Sequence, residues 1–193
     1  MKRLYNILLI SLLCLCSTQL KSQTNIFTVG TSNLNVGIHV PTYFSNMILP
    51  PVSVSYDYGI VDFGMPGSMG IGGYFGFSGS KSRYNWNGIN NYWSINTSYI
   101  NLGPRVSYHF NGIPNVSKLD LYVHLFLGVQ IRNYVYRYSN QYVGDKMNPY
   151  TDAGFAADFK IGAKYWFKDS FGAYLEIGWG SISAIELGVS FKF

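Results

Sequence analysis

Most of this chain alternates. In its last run Leu187, Val189, Phe191 and Phe193 share one face, and Glu186, Gly188, Ser190 and Lys192 share the other. A period of two belongs to strands, whose successive side chains point to opposite faces. Seven further runs repeat it, over 34–40, 52–59, 69–78, 93–110, 119–132, 154–167 and 172–180. In the first, Leu34, Val36, Ile38 and Val40 oppose Asn35, Gly37 and His39. The fifth sets Leu119, Leu121 and Val123 against Asp120, Tyr122 and His124. The fourth keeps clean phase only from Leu102 onward, so a bulge is expected in its upper half. No segment reads as an amphipathic helix. The pattern predicts an all-β fold, an eight-stranded antiparallel up-and-down barrel.

Alternation does not say which face lies inside, and composition decides that. Only 12% of the residues are charged and 18% are aromatic. A water-facing surface normally carries roughly 25–35% charged residues. The apolar face is therefore expected to point outward to lipid and the polar face into the lumen, the transmembrane arrangement. The links near 41–51, 80–92 and 139–150 read as long, those near 61–67 and 168–170 as short, and 111–118 as intermediate. The link near 181–183 breaks the alternation by being short. Long outer loops with short inner turns would place both mature termini on the periplasmic side.

The first 22 residues read as an export signal, with Lys2 and Arg3 ahead of the apolar run Ile7 to Cys16. Residues 23–193 then form the barrel domain. A lipoprotein would carry its lipid on Cys16, but Leu15 stands before it where a small residue is required. Cys14 and Cys16 are the only cysteines of the 193 residues, so a mature chain has neither disulfides nor thiolate chemistry. Losing Lys2, Arg3 and Lys21 takes the formal charge from +5 to +2 and removes the compositional case for nucleic acid.

The last run also carries a polar-x-Gly-x-x-aromatic-x-aromatic pattern at Glu186, Gly188, Phe191 and Phe193. With that ending, the chain resembles the small eight-stranded outer-membrane barrels of the OmpA/OmpX-like type, without a periplasmic domain. The resemblance implies integral placement in the outer membrane. It also implies contact with outer-membrane lipid and lipopolysaccharide, and assembly by the β-barrel assembly machinery through Gly188, Phe191 and Phe193.

The predicted lumen holds Asp57, Arg105, Asp120, Arg132, Asp158, Lys160, Lys164, Glu176, Glu186 and Lys192, five acids and five bases. An interior just wide enough for side chains would be plugged by such a network. A narrow pore is the alternative. Closing the turn over 111–118 with Phe110 opposite Leu119 would set His109 against Asp120 and Arg105 against His124. His109–Asp120 would then be the orienting half of a triad, and Glu176 facing Glu186 a carboxylate pair. These are the footholds for a second alternative, a lipid-modifying enzyme. The His-x-Ser order of lipid A deacylase barrels is absent, and no Gly-x-Ser-x-Gly occurs. Gly70-x-Gly72-x-x-x-Gly76 lies within a strand and reads as lumen packing. No catalytic residue, cofactor or metal is expected.

The outer links are rich in rings and amides. Tyr84, Trp86, Tyr92 and Trp93 form one cluster, and Tyr136 and Tyr138, near Tyr134 and Tyr142, another. Tyr and Trp give large contact area at low entropy cost. The expected role is that of a non-enzymatic barrel, structural or engaged in surface interaction through these outer links, with a surface glycan or protein as the candidate ligand.

Overall fold

The computed structural model describes residues 26–40, 47–64, 67–85, 92–110, 118–139 and 144–193. Residues 1–22, Trp86 and Tyr142 lie outside them. Eight strands follow in order: β1 (Ser32–Val40), β2 (Met47–Asp62), β3 (Gly67–Asn85), β4 (Tyr92–Phe110), β5 (Leu119–Tyr138), β6 (Tyr150–Lys168), β7 (Phe171–Trp179) and β8 (Ile185–Lys192). Each pairs antiparallel with the next, and β1 also pairs with β8, closing the ring. Val36 faces Val54 on one side and Val189 on the other. Ser32 and Phe193 complete the seam by exchanging backbone hydrogen bonds of 3.3 and 2.9 Å.

The polarity is inside out. Val54, Leu102, Val129, Ile161 and Leu187 are exposed, whereas Asn35, Asp57, Arg105, Lys160 and Glu176 are at most 1% exposed. Water on the outside would penalise this arrangement twice, through bare hydrocarbon and through charges denied hydration. Lipid outside and a polar lumen inside remove both penalties. The fold is an eight-stranded up-and-down transmembrane barrel.

Two expectations need correction. The fourth strand has no bulge, because β4 pairs with β3 in unbroken register from Tyr92 to Phe110. Its phase blurs in sequence because the upper half leaves the barrel, where neither face has a core to dictate residue type. Register shifts fall instead in β2, around Met47, Leu49 and Gly59, and between Trp166 and Lys168 of β6. Two of the long links are also shorter than predicted, because β2 begins at Met47 and β3 runs to Asn85, while the link between β5 and β6 keeps its predicted length. What separates the two ends of the barrel is strand length. β7 has 9 residues and β8 has 8, while β3, β4 and β6 have 19 and β5 has 20. The four long strands project past the barrel at the end opposite Phe193. The eight residues of β4 above its last apolar outward residue, Ile100, reach roughly 20 Å when tilted.

Candidate functional site

The lumen network forms around Arg105, contributed by β4. Its Nε donates to Asp57 at 3.1 Å and its Nη2 to Glu176 at 2.8 Å. Glu176 also accepts from the Tyr122 hydroxyl at 2.8 Å and lies 3.0 Å from His124 Nε2. Glu176 and Glu186 face each other across β7 and β8, as their spacing predicts. They do not act as an isolated carboxylate pair. Lys160 lies between them, 2.8 Å from Glu186 and 4.0 Å from Glu176. Glu186 also accepts from Ser53 at 2.5 Å and Tyr174 at 2.7 Å. Lys164 donates to Asn35 at 3.0 Å, and Asn35 donates in turn to Asp57 at 3.1 Å. Asp158 receives the Ser181 amide and hydroxyl at 2.5 and 2.6 Å, tying down the β7–β8 turn.

Two members of the predicted network stand apart from it. Arg132 is 34% exposed and pairs with Asp152 at 2.9 Å on the projecting part of β5 and β6. Lys192 lies at the opposite rim, its ammonium 4.7 Å from the Trp166 ring. Both have inward parity, but each sits beyond the level at which the barrel encloses side chains.

The β4–β5 turn closes two residues later than predicted, pairing Phe110 with Leu121 and His109 with Tyr122. A shift of two keeps every face, and it stacks the His109 and Tyr122 rings at 5.1 Å. Arg105 therefore lies opposite Phe126, and Ser107 opposite His124. Asp120 nevertheless reaches His109 diagonally, at 2.8 and 2.9 Å from Nδ1, and Ser107 Oγ lies 3.1 Å from Nε2. The result is a Ser–His–Asp relay that sequence reasoning saw only in half. It is closed off. Phe27, 0% exposed, stacks on His109 at 3.8 Å, and its carbonyl accepts from Ser68 at 2.5 Å. A Cβ on Gly70 would lie 2.7 Å from Ser107 Oγ and 2.9 Å from the Phe27 ring. No space is left in front of the hydroxyl. Phe27 itself had no signal, being a lone ring ahead of the first alternating run.

Among the described residues, the aromatics predicted on loops stand on strands. Tyr84 of β3 pairs with Trp93 of β4 and stacks on it at 4.5 Å. Trp93 lies 6.2 Å from Tyr136, Tyr136 lies 6.4 Å from Tyr150, and Tyr150 stacks on Tyr134 at 4.6 Å. These five have inward parity and form a ladder over the inner face of the projecting sheet. Tyr138 accepts the Met147 amide at 2.6 Å. Tyr92 faces outward, with the Arg83 guanidinium 3.7 Å above its ring. Desolvation, with smaller contributions from neighbouring phenols, raises Tyr134 and Tyr136 above their ordinary value. The sheet also has open borders among the described residues. Pairing of β2 to β3 stops at Ser80, and β6 has no β7 partner before Phe159.

No family model and no curated protein matches the chain. Among solved structures it is similar to the N-terminal β-barrel domain of Pseudomonas aeruginosa OprF, at 17% identity over 86% of this chain and 98% of that one, with a TM-score of 0.48. It is also similar to Ail, the attachment invasion locus protein of Yersinia pestis, in complex with the heparin analogue sucrose octasulfate. There the identity is 10% over 86% of this chain and all of that one (100%), with a TM-score of 0.46. A second structure of Ail gives 13% identity, 86% and 100% coverage, and a TM-score of 0.42. At such identities the roles of those proteins do not transfer, and the architecture of this chain stands on its own strand pairing.

Proposed function

We propose that this protein is an integral outer-membrane barrel with a surface-interaction role, acting through the sheet that β3–β6 raise above the membrane. The observation that carries the reading is the contrast between the two halves of the molecule. The lumen is filled by buried ion pairs and stoppered by Phe27, which argues against a pore. The projecting sheet presents a ladder of rings and an open β6 border, both suited to a ligand. Rings give contact area with little entropy to lose, and an unpaired strand offers backbone hydrogen bonds to an added one. A surface glycan or protein is the ligand class in view. The occluded Ser107 hydroxyl supports a packing role for the relay, in keeping with a non-enzymatic protein.

In this reading residues 1–22 export the chain, Phe193 and Phe191 serve the assembly machinery, and both mature termini are periplasmic. The projecting sheet is then extracellular. The test uses the barrel folded in detergent and screened against glycan arrays and extracellular proteins. Ligands held by the wild type are expected to be lost when Tyr84, Trp93 and Tyr136 are all changed to Ala. Unchanged binding by that variant would overturn the assignment of the site.

A further inference from the structure

We propose that Tyr134 and Tyr150 form an oxidation site, at which a one-electron oxidant joins the two phenols into a dityrosine staple between β5 and β6. The bond lies within the projecting sheet, and its formation does not depend on what that sheet binds.

Register sets the pair. Tyr134 of β5 stands directly opposite Tyr150 of β6, so both side chains rise from one face with their Cβ atoms about 4.5–5.5 Å apart. The next pair on that face, Arg132 and Asp152, is joined by an ion pair of 2.9 Å that holds the same register. The two phenol rings have centroids 4.6 Å apart and planes 18° from parallel. Aromatic pairs occupy separations of about 4.5–7 Å, so these rings are near their closest approach, carbon against carbon. Of the ladder's two closest ring pairs, Tyr84–Trp93 and Tyr134–Tyr150, only the second joins two phenols. Tyr136 is a poorer partner for Tyr150, with centroids 6.4 Å apart.

The pair is also within reach of an oxidant. Tyr150 is 50% exposed, and Tyr84 at the far end of the ladder is 47% exposed. From Tyr84 through Trp93 and Tyr136 to Tyr150, no step between ring centroids exceeds 6.4 Å. A radical formed at either end can therefore pass from ring to ring until it meets a second phenol held against it.

Hydrogen peroxide consumed by a haem peroxidase is the class of oxidant. Each phenol gives one electron to the peroxidase and its hydroxyl proton to water. The two radicals couple through one Cε carbon of each ring. The proton on each of those carbons moves to the phenol oxygen as the rings regain aromaticity. The pair loses two hydrogen atoms in all, and one peroxide takes up two electrons and two protons to leave as two waters. Partners already in place couple faster than partners that must find each other.

The bond falls where the sheet is held least. Tyr150 opens β6, and among the described residues that strand has β5 alone beside it until Phe159. A covalent bond at its first residue stops the strand from peeling away.

The test treats the full mature chain, folded in detergent, with hydrogen peroxide and a haem peroxidase, and then with trypsin. Cleavage after Arg132, Arg137, Lys146 and Lys160 releases residues 133–137 and 147–160. These two peptides are expected to be joined, lighter than their sum by two hydrogen atoms and carrying dityrosine fluorescence. Tyr134→Phe and Tyr150→Phe keep the rings and should each lower the yield about tenfold, as should unfolding the wild type in guanidinium before oxidation. Tyr136→Phe, which removes the other phenol of residues 133–137, should leave the yield unchanged. Absence of the joined peptides from the folded wild type would overturn the site. So would undiminished joining in Tyr134→Phe, in Tyr150→Phe or in the unfolded chain, or its loss in Tyr136→Phe. No ligand of the sheet enters these readouts, so they stand or fall apart from the binding role.

Discussion

Arg105 shows what a single residue has to do in this lumen. It is fully buried and serves two carboxylates, Asp57 and Glu176. Arg105→Ala leaves Asp57 without its cation and takes from Glu176 its shortest ion pair, and breaking a buried pair from one side costs about 3–5 kcal/mol. Arg132→Ala removes an exposed pair and should cost at most about 1 kcal/mol. Denaturant unfolding in detergent micelles separates the two, and equal losses would contradict the division between network and rim. Phe27→Ala empties a packed position and should cost about 3–5 kcal/mol in the same assay. The sequence showed which residues face inward, because parity alone carries that. It did not show which inward residues meet. Ser107 joined His109 and Asp120 only through a register two residues from the one expected, and a shift of two leaves no trace in the pattern.

Among the elements, the strands were legible wherever lipid and lumen both constrain them. β7 and β8 differ from their predicted bounds by one residue or so. Above the apolar band β3–β6 are held by the hydrogen-bonded ladder and by cross-strand ring and ion pairs, and no alternation of lipid and lumen marks where they end. That is why Tyr84 and Tyr92 read as loop residues although they stand on paired strands. The open border of β6 has a measurable signature. Every amide from Lys160 to Tyr165 lies between two strands and should exchange slowly in deuterated buffer. Over 151–157 β5 alone is alongside among the described residues, so alternate amides there should exchange fast. Uniform protection across β6 would show that another segment covers the border.

For the whole molecule, inside-out polarity and closure are the two governing facts. A plugged lumen predicts no stable stepwise conductance in a planar bilayer, and sustained openings by the wild-type protein would contradict it. Closure gives Phe193 two tasks, since its backbone meets Ser32 while its ring is 78% exposed. Deleting it should lower the amount of inserted barrel in cells. Phe193→Ala keeps the backbone contacts, so a similar drop would assign the effect to the ring as an address for assembly, and normal levels would assign it to the seam. The stopper at the same mouth carries a consequence in time. Phe27 rests against Ser68 and Gly70 of β3 and His109 of β4, while Gly30 and Thr31 bond to Gly59 of β2. That berth does not exist until three later-made strands have come together. Residues made before those strands therefore take their seats after them, and this corner of the barrel is finished in the reverse of the order in which it was made.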